Sequence, residues 1–150
     1  MIDIPQIIAA GLSALGFGIL YDIRGKKLAL AALGGALAWV AYLLVALFDG
    51  SDILGMLCAS VTASVYSEIM ARLAKAPTTV FYVPAVIPLV PGGGLYYTMV
   101  AALEGDWALC AEKAQGTFGS AVAIAGGILV VISLRSVIRS FSRHKDLPLN

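Results

Sequence analysis

Long runs of residues without one charged side chain recur along this chain, and they limit its fold more than any other feature. The runs lie between short clusters of charge, at residues 4–21, 28–48, 53–67, 76–103 and 114–134. About 18 or more apolar residues in a helix cross a hydrocarbon core about 30 Å thick. Charged residues make up 13% of the chain, against roughly 25% in an ordinary soluble domain. The pattern therefore predicts an all-α integral membrane protein.

The runs indicate a single transmembrane domain over residues 1–150, with five helices. The third run is too short to cross alone, so its helix must carry Glu68 near one membrane edge. The fourth run is long enough to cross but contains several prolines and glycines. The predicted spans are 4–21, 28–48, 53–74, 77–103 and 114–137.

The positions of the basic residues predict the orientation of the five helices. If every run crosses, nine of the ten Lys and Arg residues share one side, and the positive-inside rule makes that side cytoplasmic. The N-terminus is then outside and the C-terminus cytoplasmic. A fourth segment that dipped in and returned would put the basic tail on the wrong side, so a full but discontinuous crossing is favoured.

The Pro/Gly segment of the fourth run is the strongest candidate for a substrate path. Proline inside a helix removes a hydrogen bond and crowds the preceding turn, and in lipid the freed backbone groups must face protein or a water-filled cavity. Discontinuous helices build binding sites in many secondary transporters, but prolines also make purely structural kinks. Both readings remain open from the residues alone. The candidate path residues are Pro84, Pro88, Pro91, Gly92, Gly93, Gly94, Tyr96, Tyr97 and Thr98.

Glu68 is the acid expected within membrane depth, where ionisable side chains are functional candidates. It could carry a coupling proton. Arg72 lies four residues later on the same helical face, so a structural ion pair between the two is the alternative. Arg135, Arg139 and Arg143 recur every four residues, and attraction to anionic lipid explains such a face.

Other classes of function receive no support from the chain. A formal net charge of +1 offers no field for nucleic acid. His144 is the only histidine and lies in the basic tail, so we expect no metal site, no cofactor, no catalytic residue and no enzymatic activity.

Small residues recur at four-residue spacing in two spans and allow helices to approach closely. Gly119, Ala123 and Gly127 form one such stripe, and Ala31 and Gly35 form another. Packing within the chain and contact between subunits, including a homo-oligomer, are both consistent with them. A chain this small has little interior for a path of its own, so we expect some form of assembly.

Several stretches resemble the threonine/serine exporter family, specifically its small-subunit type. These are YSEIMAR at 66–72, KAP at 75–77, Phe81, and IPLVPGGGLYYTM at 87–99. The resemblance implies a small membrane subunit, similar to the C-terminal half of single-chain exporters, that works with a larger partner subunit. Related two-component systems are linked to succinate export, so small carboxylates are the implied substrates.

The leading hypothesis is a subunit of a secondary-active, proton-driven exporter of threonine, serine or a similar small carboxylate, in the cytoplasmic membrane of a prokaryote as the resemblance implies. A non-transporting assembly or scaffold subunit is the alternative from a different class. Export of a dicarboxylate such as succinate is a further alternative.

Overall fold

Every regular element of the described chain is a helix. The computed structural model describes the backbone of residues 3–145 and the side chains of residues 3–48 and 50–137. The elements are α1 (Ile4–Leu20), α2 (Lys26–Asp49), α3 (Asp52–Leu73), α4 (Thr79–Val86), a short 3₁₀ helix η1 (Ile87–Leu89), α5 (Gly92–Leu103) and α6 (Trp107–Lys145).

The helix lengths confirm the predicted all-α membrane class. Four stretches are long and apolar enough to cross a bilayer, namely Lys26–Phe48, Asp52–Leu73, Thr79–Leu103 and Trp107–Val137. The first predicted span is a shorter apolar helix of 17 residues, which measures about 25 Å at 1.5 Å per residue. Helices α4, η1 and α5 together form the broken fourth span.

The last helix begins earlier than the charge pattern predicts. We expected a span from residue 114, but α6 starts at Trp107. The Asp106 carboxylate accepts a hydrogen bond of 2.9 Å from the Leu109 amide, which satisfies one of the free N–H groups of the first turn. Glu112 and Lys113 lie inside the helix, and their charges hid its first turns from a search for uncharged runs.

The connection between α2 and α3 follows directly from its residues. Gly50 adopts a left-handed conformation with φ of 65° and closes α2, as glycine commonly does after a helix. Ser51 then caps α3, because its hydroxyl accepts a hydrogen bond from the Leu54 amide. The two helices are thereby joined by a tight turn and pack side by side.

Helix α3 lies at the centre and runs parallel to α6. Gly119 faces Ile53, Gly127 faces Ser60, and Arg135 reaches Glu68, so residue numbers rise together along both helices. The chain between them must therefore return from the Glu68 end of the bundle to the Asp52 end. The fourth segment crosses the bundle, as predicted, and does not re-enter on one side.

Small residues bring the helices together inside this one chain. A Cβ at Gly127 would overlap Ser60 Oγ and lie 2.9 Å from the Leu57 carbonyl oxygen. A Cβ at Gly35 would lie 2.6 Å from the Ala14 Cβ. The predicted small-residue stripes thus contribute to packing within the chain. Ala31 and Ala123 of the same stripes are also buried.

The outer surface is apolar, as expected of helices that face lipid. Large hydrophobic side chains are exposed on α1, α2, α3, α5 and α6, among them Leu12, Leu37, Ile69, Met99 and Leu129. Such a surface is unfavourable in water but matches a hydrocarbon environment. The side of the membrane on which each end lies stays a prediction from the charges.

Candidate substrate path

The fourth span breaks at Val90 and Pro91, where the backbone leaves helical geometry. Val90 has ψ of 125° and Pro91 has ψ of 58°, and α5 begins immediately afterwards. The first turn of a helix has no acceptors for its amides within the helix. In the described chain, no hydrogen bond uses the amides of Gly93 and Gly94. The break therefore presents free backbone donors.

One cavity opens beside this break, between the first turns of α3 and α5 and the side of α6. It has a volume of about 580 Å³ and touches Pro91 and Gly94 of the broken segment. This volume lies in the range of about 300–1,000 Å³ that small-molecule sites occupy. Its polar lining includes Tyr42, Asp52, Glu112, Lys113, Thr117 and Ser120.

The polar groups of this cavity are held by specific hydrogen bonds. The Tyr42 hydroxyl donates to an Asp52 carboxylate oxygen at 2.7 Å. Lys113 lies 3.2 Å from Glu112, and the Thr117 hydroxyl donates to the Lys113 carbonyl oxygen at 2.7 Å. Charges of both signs therefore meet at one opening, carried by separate helices.

An ion pair links α3 and α6 at the opposite end of the same helices. Arg135 Nη1 on α6 lies 2.5 Å from Glu68 Oε1 on α3. The Thr78 hydroxyl, immediately before α4, donates to the same oxygen at 3.3 Å. The Glu68 side chain is only 17% exposed. Three elements are thus joined at one carboxylate.

A row of hydroxyl groups lies on α3 between the cavity and the ion pair. Ser60, Ser64 and Ser67 are buried, and each donates to a carbonyl of the preceding turn of its own helix. On α4, the buried Tyr82 hydroxyl has no partner with hydrogen-bond geometry in the described chain. The interior between the two ends is consequently narrow but not wholly apolar.

A comparison with known protein families now identifies the chain. The family model for the threonine/serine exporter ThrE matches residues 6–134. This range includes α1 from Gln6 onward, α2 to α5, the cavity and α6 through Leu134. The chain belongs to the threonine/serine exporter family. No solved structure matches it.

Not every predicted path residue of this exporter-family chain lies at the cavity. Pro91 and Gly94 line it, whereas Gly92 and Gly93 are exposed beside it. Pro84 is buried in the core, and Pro88 borders a second, smaller cavity of about 260 Å³ next to Gln6 and Trp39.

The hydroxyl groups predicted on α5 are directed elsewhere. Tyr96 and Tyr97 are 63% and 61% exposed and pack edge to face against each other. The Thr98 hydroxyl donates to the Gly94 carbonyl oxygen within its own helix. Their role in a substrate path stays a prediction. The described residues do not enclose a path around these side chains, so such a role would require a further surface to complete the path.

The structure joins Glu68 to a different cation from the one that spacing suggests. Among the described side chains, Arg72 forms no ion pair with Glu68, although it lies one turn further along α3. Arg135, which we expected on a lipid-facing basic face, instead turns toward α3. The side chains of Arg139, Arg143, His144 and Lys145 lie outside the described residues.

Sequence reasoning missed the cavity's charged residues because it treated them only as topology markers. Asp52 lies far in sequence from the neighbouring Glu112 and Lys113, and their convergence depends on how α3 and α6 pack. One signal was available: Lys113, Thr117 and Ser120 are spaced by four and three residues, which places three polar side chains on one helical face. In the described chain, no group of three or more His, Cys, Asp or Glu residues has metal-site geometry.

Proposed function

We propose that this chain is a subunit of a secondary-active exporter that moves threonine, serine or a related small carboxylate across the cytoplasmic membrane. The observation that carries the proposal is the broken fourth span, whose break borders a cavity with charged and hydroxyl side chains in its lining. A broken helix beside a polar cavity is a common arrangement in secondary transporters. Membership of a transporter family supports the same conclusion.

The two ends of α3 and α6 suggest how the path is controlled. The cavity lies at the Asp52 end, and the Glu68–Arg135 ion pair links the two helices at the other end. In this proposal the ion pair keeps that end closed. Alternating access requires that these two ends exchange states. In this proposal, a proton that neutralises Glu68 weakens the ion pair and lets the Glu68 end open, which would couple export to the proton gradient.

A larger subunit of the same family is the proposed partner. The broken span is the least buried of the four long spans, with 11% of its apolar window inside the described chain. A path element whose apolar residues are so little covered by its own chain requires further walls. The larger subunit would supply them.

Deleting this gene together with that of its larger partner tests the proposal. Cells are fed a threonine-containing dipeptide, and intracellular and external threonine are followed over time. We expect intracellular threonine to rise and efflux to fall, with recovery when both genes are returned. Unchanged efflux of threonine and serine would contradict the amino-acid exporter.

A scaffold subunit that does not line the path would behave differently when the break is altered. Substituting Pro91 or Gly94, which line the cavity, should in such a subunit reduce complex formation in step with transport. If the segment lines the path, transport falls while the two subunits still purify together. Co-purification measured beside efflux distinguishes the two functions.

A further inference from the structure

We propose that the cavity at the Asp52 end binds the zwitterionic head of a small α-amino acid, with Lys113 facing its carboxylate and Asp52 facing its ammonium group. This inference rests on the proposed export function and assigns the residues that recognise the substrate. The cavity stands apart from the Glu68–Arg135 ion pair, at the other end of the same helices.

Asp52 and Lys113 are positioned for two opposite charges on one ligand. The Tyr42 hydroxyl orients the Asp52 carboxylate from one side, which leaves other lone pairs free for an ammonium donor. Lys113 has three donor hydrogens and contacts one neighbouring carboxylate at 3.2 Å. Both side chains reach the same opening from different helices.

Ser120 provides an independent indication that a polar ligand enters. The residue is only 8% exposed and lines the cavity. Its hydroxyl makes no hydrogen bond within the described chain. Among the described residues, only the Tyr82 hydroxyl is fully buried without a partner. The Ser120 oxygen is therefore accessible from the cavity, where a ligand or water can complete its bonding. A side-chain hydroxyl such as that of serine or threonine has matching chemistry.

The charge balance of the lining favours an amino acid over a dicarboxylate. The formal charges are two negative, on Asp52 and Glu112, and one positive, on Lys113. A dianion such as succinate would bring two further negative charges to a lining that is already net negative. A zwitterion adds no net charge, and its ammonium group can pair with the carboxylate of Asp52.

The start of α5 completes the carboxylate side. Gly94 lines the cavity and its amide is free of hydrogen bonds in the described chain. Helix N-termini favour negative groups because several amides point outward there. The amide of Gly94 is thus a second donor for the substrate carboxylate beside the lysine.

Site-directed labelling with the complete two-subunit exporter tests this assignment. Cys58 and Cys110 are replaced by alanine, and Gly116→Cys places one thiol at the cavity wall, where an added Cβ meets nothing within 4 Å. Gly92→Cys is the matched control, since it is equally free of contacts and lies outside the lining. Labelling by a membrane-impermeant maleimide is measured with L-threonine or succinate present.

We expect L-threonine to slow labelling of the Gly116→Cys thiol and to leave the Gly92→Cys thiol unaffected, while succinate protects neither. In the Gly116→Cys background, Asp52→Asn and Lys113→Gln should each raise, by about tenfold or more, the threonine concentration that protects half of the thiol from labelling. Loss of a charged hydrogen bond predicts a change of this size. Glu104→Gln, an acid outside the lining, should leave it unchanged. Protection by succinate alone, or by neither ligand, overturns the assignment.

Two threonine derivatives test the role of each charge. N-acetylthreonine lacks the ammonium group and threonine methyl ester lacks the carboxylate, so both should protect the wild-type lining poorly. Asp52→Asn should remove the preference for threonine over N-acetylthreonine, and Lys113→Gln the preference over the ester. A variant that merely misfolds would weaken all three ligands alike, and that result would contradict the assignment.

Efflux from cells with the unmodified exporter separates this inference from the function on which it rests. If threonine is exported but the Gly116→Cys thiol is never protected, the binding site is wrong and the function stands. If threonine is not exported at all, the proposed function fails first. The two failures are therefore distinguishable.

Discussion

At the scale of single residues, Glu68 shows how a charge is accommodated at membrane depth. Its carboxylate is 17% exposed and accepts from both Arg135 and Thr78. Removing one partner of a buried ion pair leaves the other charge unpaired, which costs more than the pair contributes. The ion pair therefore contributes mainly to the arrangement of α3, α4 and α6.

Glu68→Gln should destabilise the protein by about 1–3 kcal/mol. This is less than the about 3–5 kcal/mol of a fully buried pair, since Arg135 is 38% exposed. The free energies of unfolding of Glu68→Gln, Arg135→Gln and the double variant, measured in detergent, give the coupling energy. Arg72→Gln in the same background should show no coupling with Glu68→Gln.

The exposed pair of Asp22 and Arg24 is a control for this cycle. Its side chains are 77% and 83% exposed at a separation of 2.7 Å, so breaking it should change stability by about 0–1 kcal/mol. A coupling between Glu68 and Arg72 larger than that between Glu68 and Arg135 would contradict the observed pairing.

At the scale of elements, adjacent glycines on α6 have different surroundings. A Cβ at Gly127 would meet Ser60 Oγ and the Leu57 carbonyl oxygen, whereas one at Gly126 would come no closer than 4.0 Å to Leu57 Cδ1. We expect Gly127→Ala to destabilise the α3–α6 contact by about 1–3 kcal/mol. Gly126→Ala should be neutral or stabilising, because glycine is a poor helix former.

The thermal unfolding midpoints of the two alanine variants check this prediction directly. Equal midpoints would mean that α3 and α6 do not approach each other at Gly127. In the proposed mechanism the two ends of these helices exchange states, so we expect efflux to fall in the Gly127→Ala variant and to persist in the Gly126→Ala variant.

The glycines at the start of α5 offer a second matched comparison. A Cβ at Gly94 would overlap Thr117 Oγ1 and lie 3.2 Å from Thr117 Cβ, while Gly93 has nothing within 4 Å. Gly94→Ala should push α5 from α6 and widen the cavity, whereas Gly93→Ala should leave the packing unchanged. Rates of maleimide labelling at Gly116→Cys, measured in both backgrounds, test this, and equal rates would contradict it.

At the scale of the whole molecule, the parallel helices α3 and α6 have the cavity at one end and the Glu68–Arg135 ion pair at the other. We expect Glu68→Gln to favour opening of the Glu68 end and to uncouple export from the proton gradient. Threonine efflux from proteoliposomes of the two-subunit exporter should then lose most of its dependence on an imposed pH gradient. A dependence equal to that of the wild type would exclude Glu68 as the coupling group.

Much of the fold could be predicted because hydrophobic length and proline chemistry act locally. The spans, the break at residues 84–94 and the resemblance to the exporter family all follow from contiguous residues. The start of α6 was missed because Glu112 and Lys113 interrupt the apolar pattern without interrupting the helix. Their charges are tolerated there because they lie at the cavity opening.

The sequence by itself determined that this chain spans a membrane and that its fourth span is broken, since these depend on segment length and missing backbone donors. Only the tertiary structure decided which charges meet. Glu68 pairs with a cation 67 residues away instead of its neighbour on the same helix, and Asp52 shares a cavity with Lys113. Both depend on the parallel packing of α3 and α6. In an interior of low dielectric constant, the attraction between opposite charges on different helices outweighs the weak tendency of neighbours on one helix to pair.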